Sequence, residues 1–153
     1  MARLQDLPEG MRSYLSDLDC PSFDTQPWVT GLELSSRRVA LISTAGLHRR
    51  GDRPFESGAG DYRIIAGDTR SGDLVMTHLS QNFDRTGFQQ DWNVAFPLDR
   101  LRELAESGQI DTVADYHYSF MGATSPEHME PVTAELARLL HGDSVDAVLL
   151  IPI

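Results

Sequence analysis

Three histidines and one polar loop hold most of the reactive groups in this sequence. His48, His78 and His117 each stand at or near the end of a short apolar run. Imidazole is the side chain that changes charge near neutral pH, so such groups can move a proton, orient an anion or take a metal. Ser43, Thr44 and Gly46 precede His48, Thr77 and Ser80 flank His78, and Ser119 follows His117. The segment 82–93 (NFDRTGFQQDWN) adds Asp84, Arg85, Asp91 and Asn93 between aromatic residues Phe83, Phe88 and Trp92. Arg85 suits a carboxylate, the aspartates suit an amine, and the aromatics can wall a pocket. His128 and His141 fall on a helix, where His141 complements the dipole of the last turn.

Other chemistries have less to work with. HxH, HxxxH and HExxH spacings are all absent, and a two-histidine, one-carboxylate metal set would need His78 and His117 brought to Asp84 or Asp91 by the fold. Metal binding therefore stays open. Ser43 and Ser119 lack the G-x-S-x-G elbow of a serine hydrolase. Cys20, the single cysteine, precedes Pro21 and reads as a packed thiol rather than a nucleophile. All 13 basic residues are arginine, which removes Schiff-base and P-loop lysine chemistry. Against 23 acidic residues they leave a charge of −10 with no basic run, so a nucleic-acid partner is not expected. No run approaches the ~18 apolar residues of a membrane span, and the first ten residues lack a signal-peptide core. These features predict a soluble, cytoplasmic protein.

The elements that must position these groups follow from apolar periodicity. Residues 1–36 read as a lead-in with a short helix, Met11, Leu15 and Leu18 sharing one face before Pro21, Pro27 and Gly31. Residues 37–153 read as one α/β domain. Residues 38–44 (RVALIST) predict a buried strand, 61–66 and 73–78 two weaker ones, and 111–121 another. Pro97 in a first turn, Leu98, Leu101 and Leu104 on one face, and a stop at Gly108 predict one helix. Thr124 and Glu127 at capping-box spacing, then Met129, Val132, Leu136, Leu139 and Leu140 up to Gly142, predict a second. The closing run 146–153 (DAVLLIPI) has no alternation, as expected of a strand covered on both faces. Strands alternating with amphipathic helices imply a mainly parallel sheet flanked by helices, a Rossmann-like or flavodoxin-like layer. Ligands bind such sheets at the carboxyl ends of the strands, where the three histidines and the chain's last residues are expected to meet.

Residues 39–48 (VALISTAGLH), 93–104 (NVAFPLDRLREL), 117–122 (HYSFMG) and 146–150 (DAVLL) resemble selenoprotein B of the glycine/sarcosine/betaine and D-proline reductases, a likeness spread over most of 37–153. The resemblance implies reductive cleavage of a C–N bond in an amino acid or amine, with a selenocysteine or cysteine and electrons from a dithiol. It also implies half of a longer, two-lobed protein, with other reductase subunits as partners. In that family the redox residue directly follows the strand that here ends near Ile153. Cys20 matches no part of that motif. The expectation is a selenocysteine or cysteine just beyond Ile153 if the gene continues, and a chain that is inactive without it. His48 and Arg85 would then hold the substrate carboxylate, and His78 or His117 would protonate the leaving amine. The alternative is a non-catalytic α/β domain that binds small molecules or oligomerises through its last strand.

Overall fold

The computed structural model describes residues 3–17, 22, 24–80 and 84–153. Leu18, Cys20, Pro21, Asn82 and Phe83 lie outside the described residues. Contacts divide the chain into two units, Met1–Thr30 and Gly31–Ile153. The first holds α1 (Glu9–Ser16), an amphipathic helix of about two turns with no buried residue.

The second unit contains β1 (Arg38–Ser43), β2 (Leu47–Arg49), β3 (Arg63–Ala66), β4 (Leu74–Met76), α2 (Thr86–Gln90), α3 (Leu98–Glu106), β5 (Thr112–Val113), β6 (Tyr116–Ser119), α4 (Pro126–Gly142) and β7 (Ala147–Ile151). β1 is its centre. β7 runs parallel along one edge of β1, from Val39↔Ala147 to Ser43↔Ile151. β5 and β6 lie end to end along the other edge, also parallel, through Val39↔Val113 and Ser43↔Ser119. β3 adds antiparallel to the far side of β6. The result is an α/β fold with a mainly parallel sheet.

Alternation along β1 explains the layers. Val39 and Leu41 join Leu98 and Leu101 of α3, together with Ala95 and Phe96, in one buried cluster. Ile42 packs with Tyr118, Phe120 and Leu136 of α4, and Met129, Val132 and Leu140 complete that second cluster. Each buried leucine contributes roughly 2 kcal/mol by leaving water.

Several expectations need correction. The strand predicted at 73–78 is β4, which leaves the main sheet and pairs antiparallel with β2 through His48↔Val75. The segment 67–73 between β3 and β4 is too short for a parallel crossover, which takes about a dozen residues. The strand predicted at 111–121 is two strands, interrupted at Ala114 and Asp115. The last strand is not covered on both faces: Val148, Leu149 and Leu150 are 38%, 42% and 64% exposed. β7 pairs with β1 alone and sits outboard of the strands that α3 and α4 cover. Finally, the capping box at α4 does not form. Pro126 takes the first helical position, so Ser125 is the N-cap and Glu127 comes one position too early for the box. Leu139, expected on the apolar face of α4, is 37% exposed. The helix ends after Gly142 through Ser144, whose left-handed φ of 54° lets the Val145 N–H close on the Leu140 carbonyl at 2.9 Å. Pro97 likewise sits just before α3, as its N-cap. Among the described residues, no helix is long and apolar enough to cross a membrane.

Candidate active site at the carboxyl rim of the sheet

The carboxyl ends of β1, β6 and β7 meet in a small, tightly tied rim. The Thr44 N–H continues the ladder onto the Ile151 carbonyl at 3.1 Å. The Ile153 N–H then donates to Thr44 Oγ1 at 2.8 Å, and the Thr44 hydroxyl donates to the Ile153 carbonyl at 3.1 Å. From β6, the Gly122 N–H donates to the Thr44 carbonyl and the Gly46 N–H to the Phe120 carbonyl, both at 2.8 Å. Gly46 has a left-handed φ of 65°, and a Cβ there would lie 3.0 Å from the His78 nitrogen and 2.9 Å from Met121 Cε. Glycine is required on both counts.

His78 reaches this rim although β4 lies outside the main sheet, because the Thr77 N–H donates to the Gly46 carbonyl at 2.9 Å. The His78 ring is almost wholly buried, takes the Ser80 N–H on Nδ1 at 3.3 Å, and faces the Ile153 carbonyl. Burial lowers its pKa; the Ile153 carbonyl works the other way and the Arg85 charge adds to the lowering. Arg85, which opens α2, donates from Nη2 to the His78 carbonyl. The rim thus joins Thr44, Gly46, His78 and Arg85 of the sequence candidates. It offers a neutral imidazole beside a guanidinium, a pairing that suits proton transfer next to a bound anion.

His117 is held elsewhere. It has no exposed surface, and its ring packs edge-on against Phe96 with centroids 5.9 Å apart. Its position follows from the interruption between β5 and β6. The Val39 carbonyl still takes the Ala114 N–H, at 3.0 Å, and the Ser43 carbonyl takes that of Phe120, at 2.8 Å. Between them the Leu41 N–H donates instead to His117 Nδ1, at 3.0 Å. A side chain replaces the missing strand acceptor, as a buried N–H demands. The proton of this neutral ring is therefore on Nε2, which has no partner among the described residues. Burial lowers the His117 pKa to about 4. The same interruption is braced from α4: Asp143 Oδ2 accepts the N–H groups of Asp115 and Tyr116 at 2.8 and 3.1 Å, while Oδ1 meets Arg38 Nη2 at 2.6 Å.

The remaining candidates have local partners. His48 is buried on β2 with Nδ1 2.9 Å from the Arg49 carbonyl, and its Nε2 has no partner among the described residues. Ser43 is buried and donates to the Ala95 carbonyl at 2.8 Å. Asp84 accepts the Thr86 N–H at 2.9 Å, and the Thr86 side chain first and that N–H second depress its pKa. Asp91 caps the turn at Trp92 by accepting the Asn93 N–H at 2.9 Å. Asn93 in turn accepts the Asp99 N–H at 3.1 Å, and Asp99 takes the indole N–H of Trp92 at 2.6 Å. Burial would raise the Asp99 pKa, but hydrogen bonds from Trp92, Asn93 and Arg102 outweigh it and the net shift is downward. This network fixes the entry to α3 and borders a separate cavity of about 440 Å³ beside Ser71, Gly72 and Phe88. Among the described residues, no three or more His, Cys, Asp or Glu side chains gather as a metal-binding cluster. Gly122 and the Ile153 backbone are the rim members that sequence reasoning did not single out. The small-residue break MGAT after β6 was the available signal.

An α/β layer with a polar rim at its strand ends defines a broad class, and sequence comparison narrows it. The family model of glycine/sarcosine/betaine reductase selenoprotein B matches residues 7–152. The chain belongs to that family. It is 37% identical over 122 residues to the D-proline reductase subunit gamma of Acetoanaerobium sticklandii, covering 77% of this chain and 49% of that protein. It is 32% identical over 145 residues to the glycine reductase complex component B subunit gamma of Symbiobacterium thermophilum, covering 90% and 33%. A third relative, the sarcosine reductase complex component B subunit beta of Peptoclostridium acidaminophilum, is 31% identical over 137 residues, covering 85% and 31%. The chain therefore spans about half the length of the first relative and a third of the others. No solved structure matches it.

Proposed function

We propose that this chain is part of a selenoprotein-B-type reductase subunit that cleaves the C–N bond of a small amino acid or amine of the glycine, sarcosine, betaine or proline class. Cleavage adds two electrons and two protons across the bond, leaving a C–H on carbon and either freeing the amine of glycine, sarcosine or betaine or opening the proline ring with the amine still attached. A dithiol supplies the electrons and ends as a disulfide. The residue that exchanges them is a selenocysteine or cysteine next after Ile153 in the complete gene product, and other reductase subunits complete the complex in the cytoplasm. The observation that carries this reading is the convergence of Thr44, Gly46, His78 and the Ile153 backbone at the carboxyl ends of parallel strands, where such sheets bind ligands. His78 is the group that passes a proton to the departing amine. Arg85, with donors beyond the one on the His78 carbonyl, faces the substrate carboxylate. His117 is given a structural role, since its Nδ1 is committed to Leu41 inside the core. The 153-residue chain incubated with dithiothreitol and glycine, sarcosine, betaine or proline should give no product, and the complete gene product assembled with its partner subunits should give it. Turnover by the short chain, or coding DNA with no selenocysteine or cysteine codon directly after that of Ile153, overturns the proposal.

One feature favours an assembly role as a second reading: the apolar outer strand β7 exposes Val148, Leu149 and Leu150. A dimer in native mass measurement, dissociated by Leu150→Lys, would support it.

A further inference from the structure

The Thr44 hydroxyl spends both of its polar functions on one residue. It accepts the Ile153 N–H at 2.8 Å and donates to the Ile153 carbonyl at 3.1 Å. Pro152, which has no N–H to offer, precedes that residue, so the strand ladder stops and a side chain takes over. Gly122 closes the other side. A Cβ there would collide with the Ile153 carbonyl oxygen and lie 2.8 Å from the Thr44 carbonyl and 3.0 Å from Thr44 Oγ1. The His78 ring faces the same carbonyl. Two elements, the end of β1 and the turn after β6, therefore close on the N–H and C=O of one residue beyond the last strand, with the segment after β4 beside them.

We propose that Thr44 and Gly122 are positioning residues that clamp the Ile153 backbone and thereby aim the side chain of the following residue toward His78. The proposal rests on the functional reading above, in which that following residue carries the redox atom. A strand that merely ended would fray within a residue or two; a clamp on both N–H and C=O fixes the direction in which the chain leaves. Fixing a reacting atom in this way removes motions that would otherwise dilute reactive encounters. Thr44 touches no substrate in this scheme and acts through the segment it holds.

The test has two readouts. In the 153-residue chain, amide exchange at Ile153 is followed by NMR for wild type, Thr44→Val and Thr44→Ser. Loss of one hydrogen bond should speed exchange about tenfold in Thr44→Val, with Thr44→Ser close to wild type. Gly122→Ala attacks the same clamp from the other side and should speed exchange too, which covers the case of a Thr44→Val chain that does not fold. In the complete gene product assembled with its partner subunits, Thr44→Val should lower kcat for C–N cleavage at unchanged KM, and Thr44→Ser should restore it. Unchanged Ile153 exchange in folded Thr44→Val overturns the clamp. Faster exchange with unchanged kcat overturns the positioning role. A wild-type assembled complex that cleaves none of these substrates overturns the functional reading and the positioning role with it, and the exchange result tells that failure apart from failure of the clamp.

Discussion

Two places in this sheet replace a strand hydrogen bond with a side chain, and they do so in opposite ways. Between β5 and β6, His117 takes the Leu41 N–H and Asp143 takes those of Asp115 and Tyr116. The ring is enclosed by core residues, with Phe96 against its edge. At the carboxyl rim, Thr44 takes the Ile153 N–H, and the bond holds a residue beyond the end of β7 rather than a strand interior. The first repair seals a defect in the middle of a ladder. The second sits where parallel strands stop, the edge at which such sheets generally bind ligands. Two imidazoles with lowered pKa values thus differ in what surrounds them, one enclosed by the core and one set at the rim.

The largest expected effect separates the two histidines by stability. His117→Ala leaves the Leu41 N–H unpaired and opens a cavity beside Phe96, which should cost roughly 3–5 kcal/mol in urea denaturation. His78→Ala removes a ring from the rim, where the backbone ties among Thr44, Gly46 and Gly122 persist, and should cost about 1–2 kcal/mol. Equal losses would erase the distinction drawn between core and rim.

Acid sharpens the same contrast. The folded His117 pKa of about 4 lies below its ordinary value of 6.5, so the unfolded chain binds the proton more readily. Its contribution is complete above pH 6.5 and is lost as the pH falls through the window from 6.5 to 4. The difference amounts to about 3 kcal/mol at 1.36 kcal/mol per pH unit. His78, also lowered, pulls in the same direction. His117→Gln can still accept the Leu41 N–H but does not titrate, so its stability should fall less steeply across that window. An unchanged slope would remove His117 from the acid response.

Much of this architecture was legible in the chain. The apolar run of β1, the leucine faces of α3 and α4 and the alternation of strand with helix all express local periodicity, and the fold keeps them. What periodicity cannot carry is register. His117 shares a face with Leu41 because Ile42 pairs with Tyr118, a relation between segments far apart in sequence. The last strand read as buried because Val148, Leu149 and Leu150 are apolar, yet apolarity does not say whether a neighbour arrives. Asp91 and Asn93 looked like ligand groups for the chemistry of their side chains, which the turn before α3 consumes. At α4, one proline moved the start of the helix and cancelled a cap that the spacing of Thr124 and Glu127 had implied. His78 was placed at the strand ends by sequence and arrives there by another route, through the bond from Thr77 to Gly46 rather than through the main sheet.

The smallest effect tests how rigid that rim is. Gly46 and Gly108 both adopt left-handed backbone, with φ of 65° and 70°. Alanine at either position meets the same backbone strain, about 1–2 kcal/mol. Only Gly46 is also crowded, by the His78 backbone at 3.0 Å and Met121 Cε at 2.9 Å, whereas a Cβ at Gly108 meets nothing within 4 Å. Met121 Cε is the far end of a flexible side chain and can move aside; the His78 backbone is tied to Gly46 through Thr77 and cannot move without breaking that bond. Gly46→Ala should therefore cost about 1 kcal/mol more than Gly108→Ala, the excess being the packing penalty of a rim that does not yield. It should also perturb the NMR shifts of the His78 ring, which Gly108→Ala leaves alone. Equal costs with an undisturbed His78 would mean that the rim relaxes freely, and a rim that relaxes freely cannot hold a reacting atom in place.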